Sequence, residues 1–161
     1  MKTMTLKAEG RYLTFSVAQL EYGVEIQKVR EILEPSSLEP VPHDSSNVRW
    51  AVRLRGQVVP VVDLRRCFGS TPVGAFPHQC VVTVVARGWK GSFLMGLLVD
   101  GIREVVQVWS KDLEEMSGEE REGCLLGPVQ CQDRSVLLLD VDALSEKEAA
   151  REFQSNLRRM L

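Results

Sequence analysis

Apolar residues recur at every second position along most of this chain. Leu13, Phe15 and Val17 alternate with Tyr12, Thr14 and Ser16, then Leu20, Tyr22, Val24 and Ile26 alternate with Glu21, Gly23 and Glu25, which predicts two paired β-strands. From Ile26 the spacing lengthens. Val29 and Ile32 or Leu33 follow three or four residues apart, separated by Gln27, Lys28, Arg30 and Glu31, a pattern that predicts one or two helical turns. Residues 34–47 (EPSSLEPVPHDSSN) hold three prolines and four serines, which break regular structure and predict a surface connection. Alternation resumes with Val48, Trp50, Val52 and Leu54 against Arg49, Arg53 and Arg55, and a Gly56-Gln57 turn leads into Val58-Val59-Pro60-Val61-Val62. Pro60 has no amide to give to a ladder, so this strand is expected at a sheet edge or at a bulge.

Two more hairpins are expected, CVVTVVAR with SFLMGLLVD around Gly88-Trp89-Lys90-Gly91, and CLLGPVQCQ with RSVLLLDVD around Asp133. Between them, residues 102–108 read as a strand followed by the polar loop SKDLEEMSGEEREG. About nine short strands must close or stack to hide their edges, so the fold class is all-β, in barrels or a sandwich. At the C-terminus, Ser145 and Glu148 suggest a capping box, and Ala149, Phe153, Leu157 and Met160 or Leu161 recur at helical spacing. That predicts an amphipathic helix over 146–161, packed on its own barrel or offered to a partner.

A chain of 161 residues with 44% hydrophobic and 26% charged residues accommodates one structural unit. Its net charge of −2 gives no attraction to nucleic acid or anionic lipid. There is no apolar run of signal-peptide or membrane-spanning length, so the expected location is cytoplasmic, without membrane insertion. Cys67, Cys80, Cys124 and Cys131 fit no zinc or redox spacing and read as reduced thiols in the core.

Catalytic chemistry finds little support in the pattern. His43 and His78 lie in proline-containing loops without an assignable partner, so a cysteine-dependent enzyme using Cys67 or Cys131 is a remote reading. Asp140 and Asp142 share a strand face, but no third ligand accompanies them, and capping of the last helix is the simpler role. The glycines form no phosphate-binding motif, and neither a metal nor another cofactor is implied. The chain therefore reads as a docking module and not as an enzyme.

Four stretches, in order from about residue 11 to 144, resemble the CheW-type coupling proteins of bacterial chemotaxis. RYLTFSVAQLEYGVEIQKVREIL resembles the family's opening pair of strands and its "V-x-E-I/V" turn. AVRLRGQVVPVVDLRRCFG resembles the "N-L-R-G-x-V/I-V/I-P-V/I-V/I-D-L" signature, with Leu54, Arg55, Gly56, Pro60, Asp63, Leu64 and Gly69 in place. FLMGLLVDGIREVVQV and LLGPVQCQDRSVLLLDVDAL resemble its later segments. Arg53 and Ala51 depart from the asparagine and glycine usual there.

The resemblance implies two intertwined five-stranded SH3-like barrels over 9–145, followed by the helix at 146–161. It implies a groove for the cytoplasmic tip of a chemoreceptor, matched here by Leu13, Ile26, Val29, Ile32 and Ile102, with an ion pair between Glu31 and Arg55 nearby. It also implies contact with the regulatory domain of a CheA-type histidine kinase through Gly56, Val81 and Val82. On the neighbouring strand, one valine is expected to face the barrel and the other a partner. A related regulator of motility or development has the same resemblance.

Overall fold

The computed structural model describes residues 9–41, 48–68, 79–88, 91–112 and 123–147. Two sheets account for most of them. The first takes strands in the order β10-β11-β2-β1-β9, where β1 is Gly10–Val17, β2 Leu20–Glu25, β9 Gly101–Val108, β10 Leu125–Cys131 and β11 Arg134–Leu139. The second runs β3-β7-β8-β6-β5-β4, where β3 is Val29–Leu33, β4 Glu39–Pro40, β5 Trp50–Leu54, β6 Gln57–Asp63, β7 Cys80–Gly88 and β8 Gly91–Val99. Short helices follow β6 and β11: α1, Leu64–Cys67, and α2, Val141–Lys147. No described helix is long and apolar enough to cross a membrane.

Read from the bulged edge inward, the two sheets have the same plan. β9-β1-β2-β11-β10 and β3-β7-β8-β6-β5 are each joined by antiparallel, antiparallel, parallel and antiparallel pairings, and among the described residues β4 is the one addition. The registers coincide residue by residue. Thr14 faces Gly23, which lies beside Leu138, and Thr83 faces Gly96, which lies beside Val61. The chain is thus a repeat of a hairpin followed by three strands, in which each hairpin completes the sheet of the other half.

Each sheet rolls up around a small core of its own. In the first, Val106 and Val108 of β9 meet Val129 and Cys131 of β10 around Tyr12, so the two ends of the strand order close on one another. In the second, Leu33 of β3 and Trp50 and Leu54 of β5 pack with Val52, Val59, Val61, Val81 and Leu98. A third, shared core lies between the two sheets and takes Leu13, Phe15, Val17 and Val24 from one, Val82, Val84, Met95 and Leu97 from the other, and Leu144 from α2.

Three tight turns carry positive φ at both central residues, Ala18-Gln19, Arg55-Gly56 and Gln132-Asp133, the combination that matches the twist of paired strands. The central turn therefore falls one residue earlier than the expected Gly56-Gln57. Nor is β6 an edge strand: it lies between β5 and β8, and Pro60 is tolerated because the parallel ladder to β8 begins at Val61. The last helix starts at Asp140, whose carboxylate accepts from the amides of Asp142 and Ala143, so Ser145 lies inside the helix and does not cap it. The expected continuation from 148 to 161 lies outside the described residues.

A matched bulge interrupts both edges. Between Val29 and Glu31 the register of β3 on β7 slips by one residue, and Thr83 Oγ1 fills the gap, accepting from the Glu31 amide at 2.9 Å and donating to its carbonyl at 3.2 Å. In the other sheet Thr14 Oγ1 does the same for Glu104, at 3.1 and 3.0 Å. Both threonines are fully buried.

Two stability predictions follow from these positions. A methyl group at Gly96 would stand 2.9 Å from Val61 Cγ2 and Val81 Cγ1, both on stiff β-branched side chains, whereas at Gly23 the nearest atoms are 3.4 Å away. Gly96→Ala is expected to cost about 1–3 kcal/mol in denaturant unfolding and Gly23→Ala less than ~1 kcal/mol. Thr83→Val removes both bonds at the bulge while keeping the volume, and is expected to cost about 1–3 kcal/mol, with Thr83→Ser recovering most of it.

Candidate functional site: an apolar seam between the sheets

The bulge on β3 decides which side chains stand together. Residues paired across an antiparallel ladder share a face. Val29 pairs with Val84 and Ile32 with Val82, and Val82 and Val84 are two apart, so Val29 and Ile32 lie on one face although they are three positions apart. That face turns toward the shared core. Three-residue spacing had predicted helix here. Only Ile26–Lys28 is helical, as a single 3₁₀ turn, and β3 begins immediately after it.

β3 is the edge of its sheet, and β9, its counterpart, is the edge of the other. Ile102 pairs with Phe15 as Val29 pairs with Val84, so it too faces the shared core. Ile26, Val29 and Ile102 are each partly buried against that core, and these half-buried apolar side chains are called its rim. Ile32 rises from it at 51% exposure. Leu13 is only 6% exposed and belongs to the core, so it supports the rim from below and offers little contact surface.

Glu31 and Arg55 meet as the sequence resemblance implied. Arg55 Nη2 lies 2.9 Å from Glu31 Oε1, with the arginine largely in solvent. Since Glu31 is on the first strand of the rolled sheet and Arg55 in the β5–β6 turn, the pair bridges the two ends of the strand order. The other sheet closes in the same way, with Arg134 beside β10 joined to both Glu104 of β9 and Glu21 of β2. Donating hydrogen bonds to the carboxylates of Glu104 and Glu21 pushes the Arg134 pKa up.

The expected kinase-side residues fare differently. Val81 and Val82 are both fully buried, Val81 in the core of its own sheet and Val82 in the shared core. The expectation that one of them faces a partner is corrected: β7 is an interior strand covered on both faces. Gly56 is exposed at the tip of its turn, with open space around its α-carbon. Arg53, one of the two departures, reaches Glu39 at 2.9 Å and ties β5 to the short β4, and Ala51 is buried.

Sequence periodicity missed Val105, which is 47% exposed and stands where Ile32 stands in the other half. The similarity of Val29-Arg30-Glu31-Ile32-Leu33 to Ile102-Arg103-Glu104-Val105-Val106 was the signal for it.

Among the described residues, the ionisable groups that sequence reasoning singled out have structural surroundings. All four cysteines are free thiols, and burial raises the pKa of Cys80 and Cys131, which keeps them protonated and poorly nucleophilic. His43 and His78 lie outside the described residues. Among the described residues no group of three His, Cys, Asp or Glu side chains is placed to hold a metal ion. Asp140 is occupied as a helix cap, and Asp142 binds Lys28 and the Arg87 amide.

The chain is 30% identical over 148 residues to the chemotaxis protein CheW of Rhizobium meliloti, covering 88% of this chain and 93% of that protein. It is 26% identical over 155 residues to the chemotaxis protein CheW of Thermotoga maritima, covering 94% and 99%. The crystal structure of the scaffolding protein TtCheW from Thermoanaerobacter tengcongensis has the same fold, with a TM-score of 0.75 and 24% identity over 86% of this chain and 93% of that one. The model of the CheW-like domain matches residues 11–149, and the chain belongs to the CheW-like domain family.

Proposed function

We propose that the chain is a non-catalytic adaptor of bacterial chemotaxis, working in the cytoplasm, that joins the cytoplasmic tip of a chemoreceptor to the regulatory domain of a CheA-type histidine kinase. The observation that carries this reading is the apolar rim of Ile26, Val29 and Ile102, crowned by the exposed Ile32 and flanked by the Glu31–Arg55 pair. An apolar stripe of this kind suits the apolar face of a partner helix. Leu13 supports the rim from the core.

On the kinase side, the exposed Gly56 at the tip of the β5–β6 turn is what remains once Val81 and Val82 are assigned to the core. Coupling needs no covalent step. A receptor whose states differ in affinity for this rim shifts the assembly, and the kinase responds to the shift.

Ile32→Asp places a charge on a side chain that is already half exposed, so the fold should tolerate it. The expected result is at least about a tenfold loss of affinity for a receptor-tip fragment by calorimetry, with kinase-domain affinity and melting temperature unchanged. Undiminished receptor binding would sink the docking reading. Arg55→Glu sets like charges together at an exposed site. It is expected to change unfolding free energy by less than ~1 kcal/mol while weakening receptor-fragment binding, because exposed pairs orient a surface more than they stabilise a fold.

A further inference from the structure

Two three-way junctions occupy equivalent places in the two halves of the chain. In the first, Asp100, just after β8, accepts from the Ala18 amide in the β1–β2 turn at 2.8 Å and faces Arg65 of α1 at 3.5 Å. In the second, Asp142 of α2 accepts from the Arg87 amide near the end of β7 at 2.7 Å, and both its oxygens accept from Lys28 Nζ at 3.2 Å. The matched registers make Ala18 the counterpart of Arg87 and Arg65 the counterpart of Asp142. The same junction of hairpin end, crossing turn and helix start is therefore built twice, with the aspartate and the cation exchanged.

Each junction stands directly before a rim residue. Asp100 is separated from Ile102 by Gly101, and Lys28 adjoins Val29. Arg65 and Asp100 are nearly buried, at 7% and 10% side-chain exposure, whereas Lys28 and Asp142 are at 29% and 38%. The more solvated clasp is the one holding the 3₁₀ turn that carries Ile26.

We propose that Lys28 and Asp142 are positioning residues for the docking rim: their pairing holds the crossing from β2 to β3 so that Ile26 and Val29 stand at the angle a partner helix meets, and it ties α2 to that rim. This rests on the docking function proposed above. Asp142 acts through Lys28 and the turn, so its effect on binding does not require it to touch the partner.

The test uses the full chain with Lys28→Met, Asp142→Asn, the double substitution and Lys28→Arg. Asparagine keeps an oxygen for the Arg87 amide while removing the charge. Each of the first two is expected to weaken binding of a receptor-tip fragment about three- to tenfold, the double to weaken it no further, and Lys28→Arg to bind as the unsubstituted chain does. Kinase-domain affinity is expected to stay unchanged, and amide exchange over residues 26–33 to quicken in both single variants while that of β1 does not.

Unaltered exchange over 26–33, or additive losses of affinity in the double variant, overturns the inference. If Ile32→Asp also leaves receptor binding unchanged, the docking reading itself has failed, and the exchange measurement alone then decides whether the clasp positions the turn.

Discussion

Phe15, Val17 and Val24 of one sheet and Val84, Met95 and Leu97 of the other leave water in a single layer, and the exchange of hairpins between the halves is what makes that layer obligatory. Neither half of the chain can finish its own sheet, so strands from both must be present before either roll closes. Burying each such side chain is worth about 1.5–3 kcal/mol, and the layer contains enough of them to fix the two sheets against one another. The chain crosses from one sheet to the other after β2 and after β8, and these crossings run along the margin of the shared core. Ile26 lies in the first crossing and Ile102 just beyond the second, so the topology that locks the sheets together also delivers apolar side chains to their seam.

Edge strands are a liability because unpaired backbone groups invite other strands. Here both free edges that flank the seam are bulged, and a buried threonine satisfies the backbone at each bulge. The bulge has a second consequence at β3. It brings residues three apart onto one face, so that Val29 can lean on the core while Ile32 stands clear of it. A regular strand would have turned one of the two to the opposite side.

Most strands were legible because a half-buried strand imposes a period of two on its side chains. The segment after Ile26 was not, since a bulge in an edge strand produces the same three-residue spacing as a helix and no local residue type distinguishes them. Pro60 misled in a similar way: its missing amide forbids one ladder bond, but whether a neighbouring strand needs that bond depends on where the parallel pairing starts. Val81 and Val82 were misassigned because alternation identifies two faces without revealing that a second sheet covers the outer one. By contrast, the Glu31–Arg55 contact came from the family resemblance and could not have come from periodicity, as the two residues meet only when the sheet rolls up.

The repeat supplies its own comparison between what the fold demands and what the surface adds. Thr14 and Thr83, Gly23 and Gly96, Glu31 and Glu104, and the helix-starting Asp63 and Asp140 hold the same identity in both halves, and each has a local backbone or packing reason. The arginine that closes each roll is in the turn itself in one half, as Arg55, and on the strand after it in the other, as Arg134, where two glutamates hold it. Among the described residues Arg55 thus pairs with Glu31 alone and has most of its surface in water, beside Gly56 and near the edge that carries Ile32, whereas Arg134 is spent on internal closure. The asymmetry leaves Arg55 as the more solvent-exposed of the two closing arginines, beside the β3 edge and in the β5–β6 turn, while the equivalent chemistry in the other half is held by two glutamates.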